Sequence, residues 1–152
     1  MNQDELVEFI VESKRNGYAG GNREEKPQIR GSREYSSKKG SLSYRDIWFG
    51  NRTFSGIETV FENERAVWGM VYSGGLLDED GREDRVYAFL KKCLYLVDRE
   101  APYRGPKMFT DGTFTYTNEF SGEFEYFMGY ENISENDDII YELHYSGGSI
   151  IY

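Results

Sequence analysis

Apolar residues follow two spacings along this chain, and the alternation between them outlines the architecture. Leu6, Phe9, Ile10 and Ser13 recur at helical spacing and predict an amphipathic helix over residues 4–16, with Asn2 or Asp4 as its cap. Tyr18-Ala19-Gly20-Gly21 ends it, and the polar stretch 20–32 reads as a loop. Val86, Phe89, Leu90, Cys93 and Val97 fall at i, i+3, i+4, i+7 and i+11 and predict a second helix over residues 83–97.

Elsewhere the period is two. Residues 33–37 and 41–48 flank Lys38-Lys39-Gly40 as one hairpin, and residues 57–61 and 67–72 flank Glu62-Asn63-Glu64-Arg65 as another. Gly74-Gly75 and Asp78-Glu79-Asp80-Gly81 are expected to break the sheet. After the Gly105-Pro106 turn come strands at 113–117, 123–127 and 139–145, and the tail 149–152 is expected to add a short edge strand.

The pattern repeats. Tyr72-Ser73-Gly74-Gly75 recurs as Tyr145-Ser146-Gly147-Gly148, and Phe54-Ser55-Gly56 as Phe120-Ser121-Gly122. Tyr18/Gly20 matches Tyr103/Gly105, and Gly40/Tyr44 matches Gly112/Tyr116, so four signatures occur in the same order. The chain therefore reads as one domain, residues 1–152, built from repeats of roughly 1–78 and 79–152. Duplication implies pseudo-twofold packing with a seam where a ligand could sit.

Strand alternation assigns faces. Trp68, Met70 and Tyr72 share one face with Tyr141, Leu143 and Tyr145, and Leu42 and Tyr44 match Phe114 and Tyr116. Val60 is matched to Tyr126, and Glu58 to Phe124. Glu142, His144, Arg45, Thr59, Glu123 and Glu125 fall on the opposite, mixed face. The fold class is α+β: a curved antiparallel sheet of two tandem helix-plus-strand repeats, with both helices on one face.

Composition narrows the functions. Thirteen Tyr and ten Phe supply large side chains for a core or a pocket wall. A net charge of −9 disfavours nucleic-acid binding by this chain alone. One Cys forms no internal disulfide, and Cys93 lies on the apolar stripe of its helix. No apolar run is long enough to span a membrane, no leader pattern opens the chain, and a cytoplasmic location is expected.

Candidate chemistry is sparse. Glu58 has the parity of an apolar face, where a carboxylate needs a partner or a ligand. Trp68, Tyr44, Tyr116 and Tyr126 are the aromatic walls expected around it, suited to a cationic or aromatic small molecule. His144 and Glu142, two residues apart, with Arg104 in its Gly-Pro turn, are the weaker catalytic candidates. The single His and the lack of a Cys cluster argue against zinc, and the acidic segments 78–80 and 135–138 lack calcium-loop spacing. No nucleotide motif occurs, and no cofactor is expected.

Tyr18-Ala19-Gly20-Gly21, Trp68-Gly69-Met70, Tyr103-Arg104-Gly105-Pro106 and Tyr141-Glu142-Leu143-His144-Tyr145 resemble a bacterial family of uncharacterised domains. In that family the domain stands alone or behind an XRE-type helix-turn-helix, which this chain lacks. The resemblance implies no activity. A looser, fold-level resemblance is to GyrI-like effector-binding domains, where two helix-and-strand units enclose a pocket around a buried Glu. These readings favour a small-molecule-binding or sensor module with a pocket at the repeat seam. The alternatives are an enzyme using Glu142 and His144, and a protein-interaction module working through an exposed strand edge. A homodimer is compatible with all three.

Overall fold

The computed structural model describes residues 1–21, 24–79 and 81–152. Asn2 accepts a hydrogen bond from the Asp4 amide and starts α1, Gln3–Asn16, whose buried side is Val7, Phe9, Ile10, Val11 and Ser13. The second stripe forms α2, Glu83–Tyr95, burying Val86, Phe89, Leu90, Cys93 and Leu94. Val97 is also buried but lies beyond the helix. Part of the predicted loop 20–32 (Asn22, Arg23) and Asp80 of the acidic turn lie outside the described residues.

Each helix precedes a four-stranded meander. The first is β1 Arg33–Lys39, β2 Leu42–Gly50, β3 Thr53–Glu62 and β4 Arg65–Leu76. The second is β5 Met108–Asp111, β6 Phe114–Glu123, β7 Tyr126–Glu135 and β8 Asp138–Ser149. The strands form one antiparallel sheet in the order β1-β2-β3-β4-β8-β7-β6-β5. Asn63-Glu64 and Asn136-Asp137 turn the inner hairpins with φ of 49°, 70°, 52° and 68°, as a two-residue turn with both φ positive requires. A register shift follows Val60 in one half and Ile133 in the other.

The seam joins β4 to β8, and Tyr72 pairs with its own repeat image, Tyr145. The pseudo-twofold axis therefore passes between these tyrosines. Gly74-Gly75 does not break the sheet, because β4 continues to Leu76. A Cβ on Gly74 would stand 2.2 Å from the Glu142 carbonyl, and one on Gly147 2.2 Å from the Gly69 carbonyl, so these glycines let the central strands approach. The tail adds no edge strand, because β8 ends at Ser149 and residues 150–152 are in no strand; β8 itself is central, and the edges are β1 and β5.

Register corrects three sequence matches. Gly56 faces Tyr72, and the residue facing Tyr145 is Gly129, so Phe54-Ser55-Gly56 corresponds to Phe127-Met128-Gly129. Phe120-Ser121-Gly122 instead corresponds to Trp48-Phe49-Gly50, since Trp48 faces Gly56 as Phe120 faces Gly129. Val60 therefore matches Ile133 and Glu58 matches Glu131, not Tyr126 and Phe124. Both helices lie over the face that carries Trp68, Tyr116, Tyr141 and Phe127, all at most 2% exposed. Fully burying one apolar side chain of this size class contributes about 1.5–3 kcal/mol.

Candidate functional site

The equivalent strands set two polar clusters into the covered face, one in each half. In the second, Glu131 is fully buried and accepts four hydrogen bonds. Arg104 gives two, from Nε and Nη2 at 2.7 Å each, and the Tyr116 and Tyr141 hydroxyls give one each at 2.8 Å. Burial works against the Arg104 charge, but the Glu131 carboxylate outweighs it and raises its pKa. Beside them Asn118 accepts from Tyr145 at 2.7 Å and donates to the Gly105 carbonyl at 2.9 Å. The Gly105 amide donates to the Tyr116 hydroxyl at 2.9 Å, so the segment after α2 is docked on the sheet at both peptide groups.

The first half repeats this frame with different side chains. Glu58 accepts from the Tyr44 hydroxyl and from Lys14 Nζ at 2.9 Å. Lys14 also donates to the Tyr103 carbonyl at 2.6 Å and stands 5.8 Å over the Trp68 ring. Burial lowers the Lys14 pKa, and Glu58 opposes the shift. Trp68 replaces Tyr141, and its buried Nε1 has no hydrogen-bond partner among the described residues.

Asp46 takes the place of Asn118. Its Oδ1 accepts from Tyr72 at 2.5 Å, as Asn118 accepts from Tyr145. Tyr72 reaches it across Gly56, where a Cβ would lie 2.3 Å from the hydroxyl; Gly129 gives Tyr145 the same passage. Asp46 is 9% exposed and has no ion-pair partner within the described residues. Burial, then the neighbouring Glu58, push its pKa up to about 7, against the pull of Tyr72, Lys14 and Arg104.

Two adjoining cavities open beside Asp46, between α2 and the first-half strands. One, of about 60 Å³, has aromatic walls from Tyr18, Trp48, Phe54, Tyr72 and Tyr87. The other, of about 40 Å³, is bordered by Lys14, Tyr44, Glu58 and Tyr103. Asp46, Arg104, Tyr18 and Leu94 line both. Arg104 also lies 5.7 Å over the Tyr72 ring, so the second half contributes to the first half's site. Burial raises the Tyr18 hydroxyl pKa to about 12, which keeps it neutral. A wider groove of about 910 Å³ beside α1 is lined by exposed side chains apart from Val11 and offers no buried polar group.

The residues singled out by sequence divide sharply. Glu58 and Tyr44 border the cavity, whereas Trp68 is stacked between Phe124 and Phe127 beneath it. Tyr116 belongs to the Glu131 cluster. Tyr126 is 72% exposed, because Phe127 takes the inward place. Glu142 and His144 lie on the uncovered face, where Tyr130 donates to Glu142 at 2.9 Å and its ring lies 4.8 Å from His144. Arg104 is on the covered face, bound to an acid of its own half, so the three catalytic candidates do not converge. Asp46, Lys14 and Glu131 were missed. For Asp46 the signal was present: it shares parity with Leu42, Tyr44 and Trp48, as Glu131 does with Phe127 and Ile133.

Among the described residues no cluster of metal-ligating side chains occurs, and no helix is long and apolar enough to cross a membrane. No match to the chain was found among curated proteins or solved structures. One family model matches residues 46–150, a span from Asp46 itself through β8. The chain belongs to that family, described as a domain of unknown function (DUF5680).

Proposed function

We propose that the chain is a small-molecule-binding or sensor module, with its ligand site in the aromatic-walled cavity beside Asp46. The observation that carries this reading is a carboxyl group 9% exposed, with no ion-pair contact among the described residues, at the border of two cavities. A carboxylate is costly to bury without compensation, and a bound cation or donor would supply it. Glu58, the anchor expected from sequence, already has Lys14 and Tyr44, so the anchoring role passes to Asp46. Tyr18, Trp48, Phe54, Tyr72 and Tyr87 add flat surfaces suited to an aromatic or cationic ligand.

A cytoplasmic location belongs to the same reading, supported by a single buried Cys93. The net charge of −9 disfavours direct contact of these residues with nucleic acid. The test is thermal unfolding of wild type and Asp46→Asn against cationic, aromatic and anionic small molecules. A native-state ligand raises the wild-type midpoint by mass action, and the shift shrinks in Asp46→Asn. A panel without a single shift in wild type contradicts the proposal.

A further inference from the structure

We infer that the first-half site takes a planar amidinium or guanidinium cation, its head seated in the smaller cavity between Tyr44 and Asp46, where the second half docks its own Gly105 peptide, and the rest of the ligand reaching past Asp46 into the adjoining aromatic-walled cavity. The inference rests on the binding-module reading and adds the ligand class. Its source is internal comparison. Tyr44, Asp46 and Glu58 are the register equivalents of Tyr116, Asn118 and Glu131. In the second half, Tyr116 accepts from the Gly105 amide and Asn118 donates to the Gly105 carbonyl.

Among the described residues the first half has no such plug. Tyr103 lies eight residues after α2 ends at Tyr95, whereas Tyr18 lies two after α1 ends at Asn16. The shorter connection keeps Gly20 against its own helix, where a Cβ would meet the Arg15 carbonyl at 2.1 Å. A Cβ on Gly105 would instead meet the Tyr116 ring at 2.8 Å. The place corresponding to the Gly105 peptide is bordered by Tyr44 and Asp46 in the cavity.

Side-chain polarity then defines the occupant. Tyr44 gives its proton to Glu58, so its oxygen faces the cavity as an acceptor. Ionised Asp46 is also only an acceptor, and its Oδ2 has no partner among the described residues. Where Asn118 presents a donor to a carbonyl, Asp46 presents an acceptor to a donor. The complementary group carries two N–H donors side by side and one positive charge, as an amidinium or guanidinium does. Charge agrees: among the described residues the buried cations beside Asp46, Glu58 and Glu131 are Lys14 and Arg104, while Arg33 at the larger cavity's border is half-exposed and paired with Glu24. A quaternary ammonium lacks the donors, and a carboxylate ligand repeats the acceptors.

The test is isothermal titration of the full chain with benzamidine, its neutral isostere benzamide, tetramethylammonium and benzoate. Wild type is expected to bind benzamidine at least about tenfold more tightly than the other three, the scale of one charge-assisted hydrogen bond. Asp46→Asn copies the Asn118 arrangement and is expected to fold; it should lose benzamidine affinity by about tenfold or more and gain affinity for benzamide. Tyr44→Phe, which keeps Asp46, should weaken benzamidine by about threefold to tenfold. Equal benzamidine binding by wild type and Asp46→Asn overturns the inference. Preference for benzoate or tetramethylammonium overturns the ligand class and leaves a binding module standing. If all four are silent, the class fails, and the broader thermal panel decides separately whether any binding function survives.

Discussion

Glu131 and Glu58 hold equivalent places in the two halves, yet their surroundings differ in completeness. Glu131 has four donors, and the Asn118 beside it is satisfied on both sides by Tyr145 and Gly105. Glu58 has Lys14 and Tyr44, and the neighbouring residue is an acid with one bonded oxygen. The second half spends a loop on closing its cluster, while the first leaves space beside Asp46. One frame thus yields a structural lock and, in the other half, a cavity bordered by an acid with one unbonded oxygen. Two halves of equivalent register let one secure the fold while the other departs from full satisfaction.

The comparison breaks most visibly if the lock is not a lock. Arg104→Met removes two of the four Glu131 hydrogen bonds and leaves a buried carboxylate without its counter-charge, so urea unfolding should show a loss of about 3–5 kcal/mol. A loss below about 1 kcal/mol would mean the second cluster is no more structural than the first.

The pH dependence comes next. The Asp46 pKa is about 7 when folded, above its ordinary unfolded value, so the native state holds the extra proton between the two. Its contribution is present below the unfolded pKa and is lost as pH rises through about 7, amounting to about 4 kcal/mol overall. Glu58 on β3, Tyr72 on β4, Lys14 on α1 and Arg104 after α2 all face this group. The slope attributable to Asp46 is therefore read as the difference between wild type and Asp46→Asn from pH 5 to 8. Benzamidine affinity should rise over the same interval by about tenfold per unit up to pH 7, then level off.

A smaller effect tests the shared frame. Gly56→Ala and Gly129→Ala each place a Cβ within 2.4 Å of a tyrosine ring or hydroxyl, and each should cost about 1–3 kcal/mol by overpacking. Similar losses at the two positions confirm equivalence; a tolerated Gly129→Ala would contradict it. Smallest of all, Tyr126→Ser should stay within about 0.5 kcal/mol, because that ring is on the uncovered face.

Local periodicity carried much of the fold. Helix stripes such as Val86, Phe89 and Leu90, and inward rows such as Trp68, Met70 and Tyr72, were legible because they follow from side-chain direction alone. The partnership of β4 with β8 was not legible, since it joins strands far apart in sequence and depends on glycines that read as breakers. The short strand β5 was missed because its four residues carry no clear alternation. Identity also misled: Phe120-Ser121-Gly122 copies Phe54-Ser55-Gly56 in letters but holds another place in the register. That error hid Glu131 behind Phe124 and gave Glu58 no acidic counterpart. Lys14 was missed because a lysine in the last turn of a helix ordinarily points to water, whereas here its side chain is 9% exposed. Asp46 was visible by parity, but its lack of an ion-pair partner among the described residues emerges only when five elements are packed together.

The most direct measurement follows the Asp46 side-chain carboxyl carbon by NMR as pH is varied, in the chain without ligand and with benzamidine. A midpoint near 7 that falls when benzamidine is added is the result predicted for a buried acid that accepts a cation. A midpoint near the ordinary aspartate value, about 4, and unmoved by benzamidine, would contradict the account.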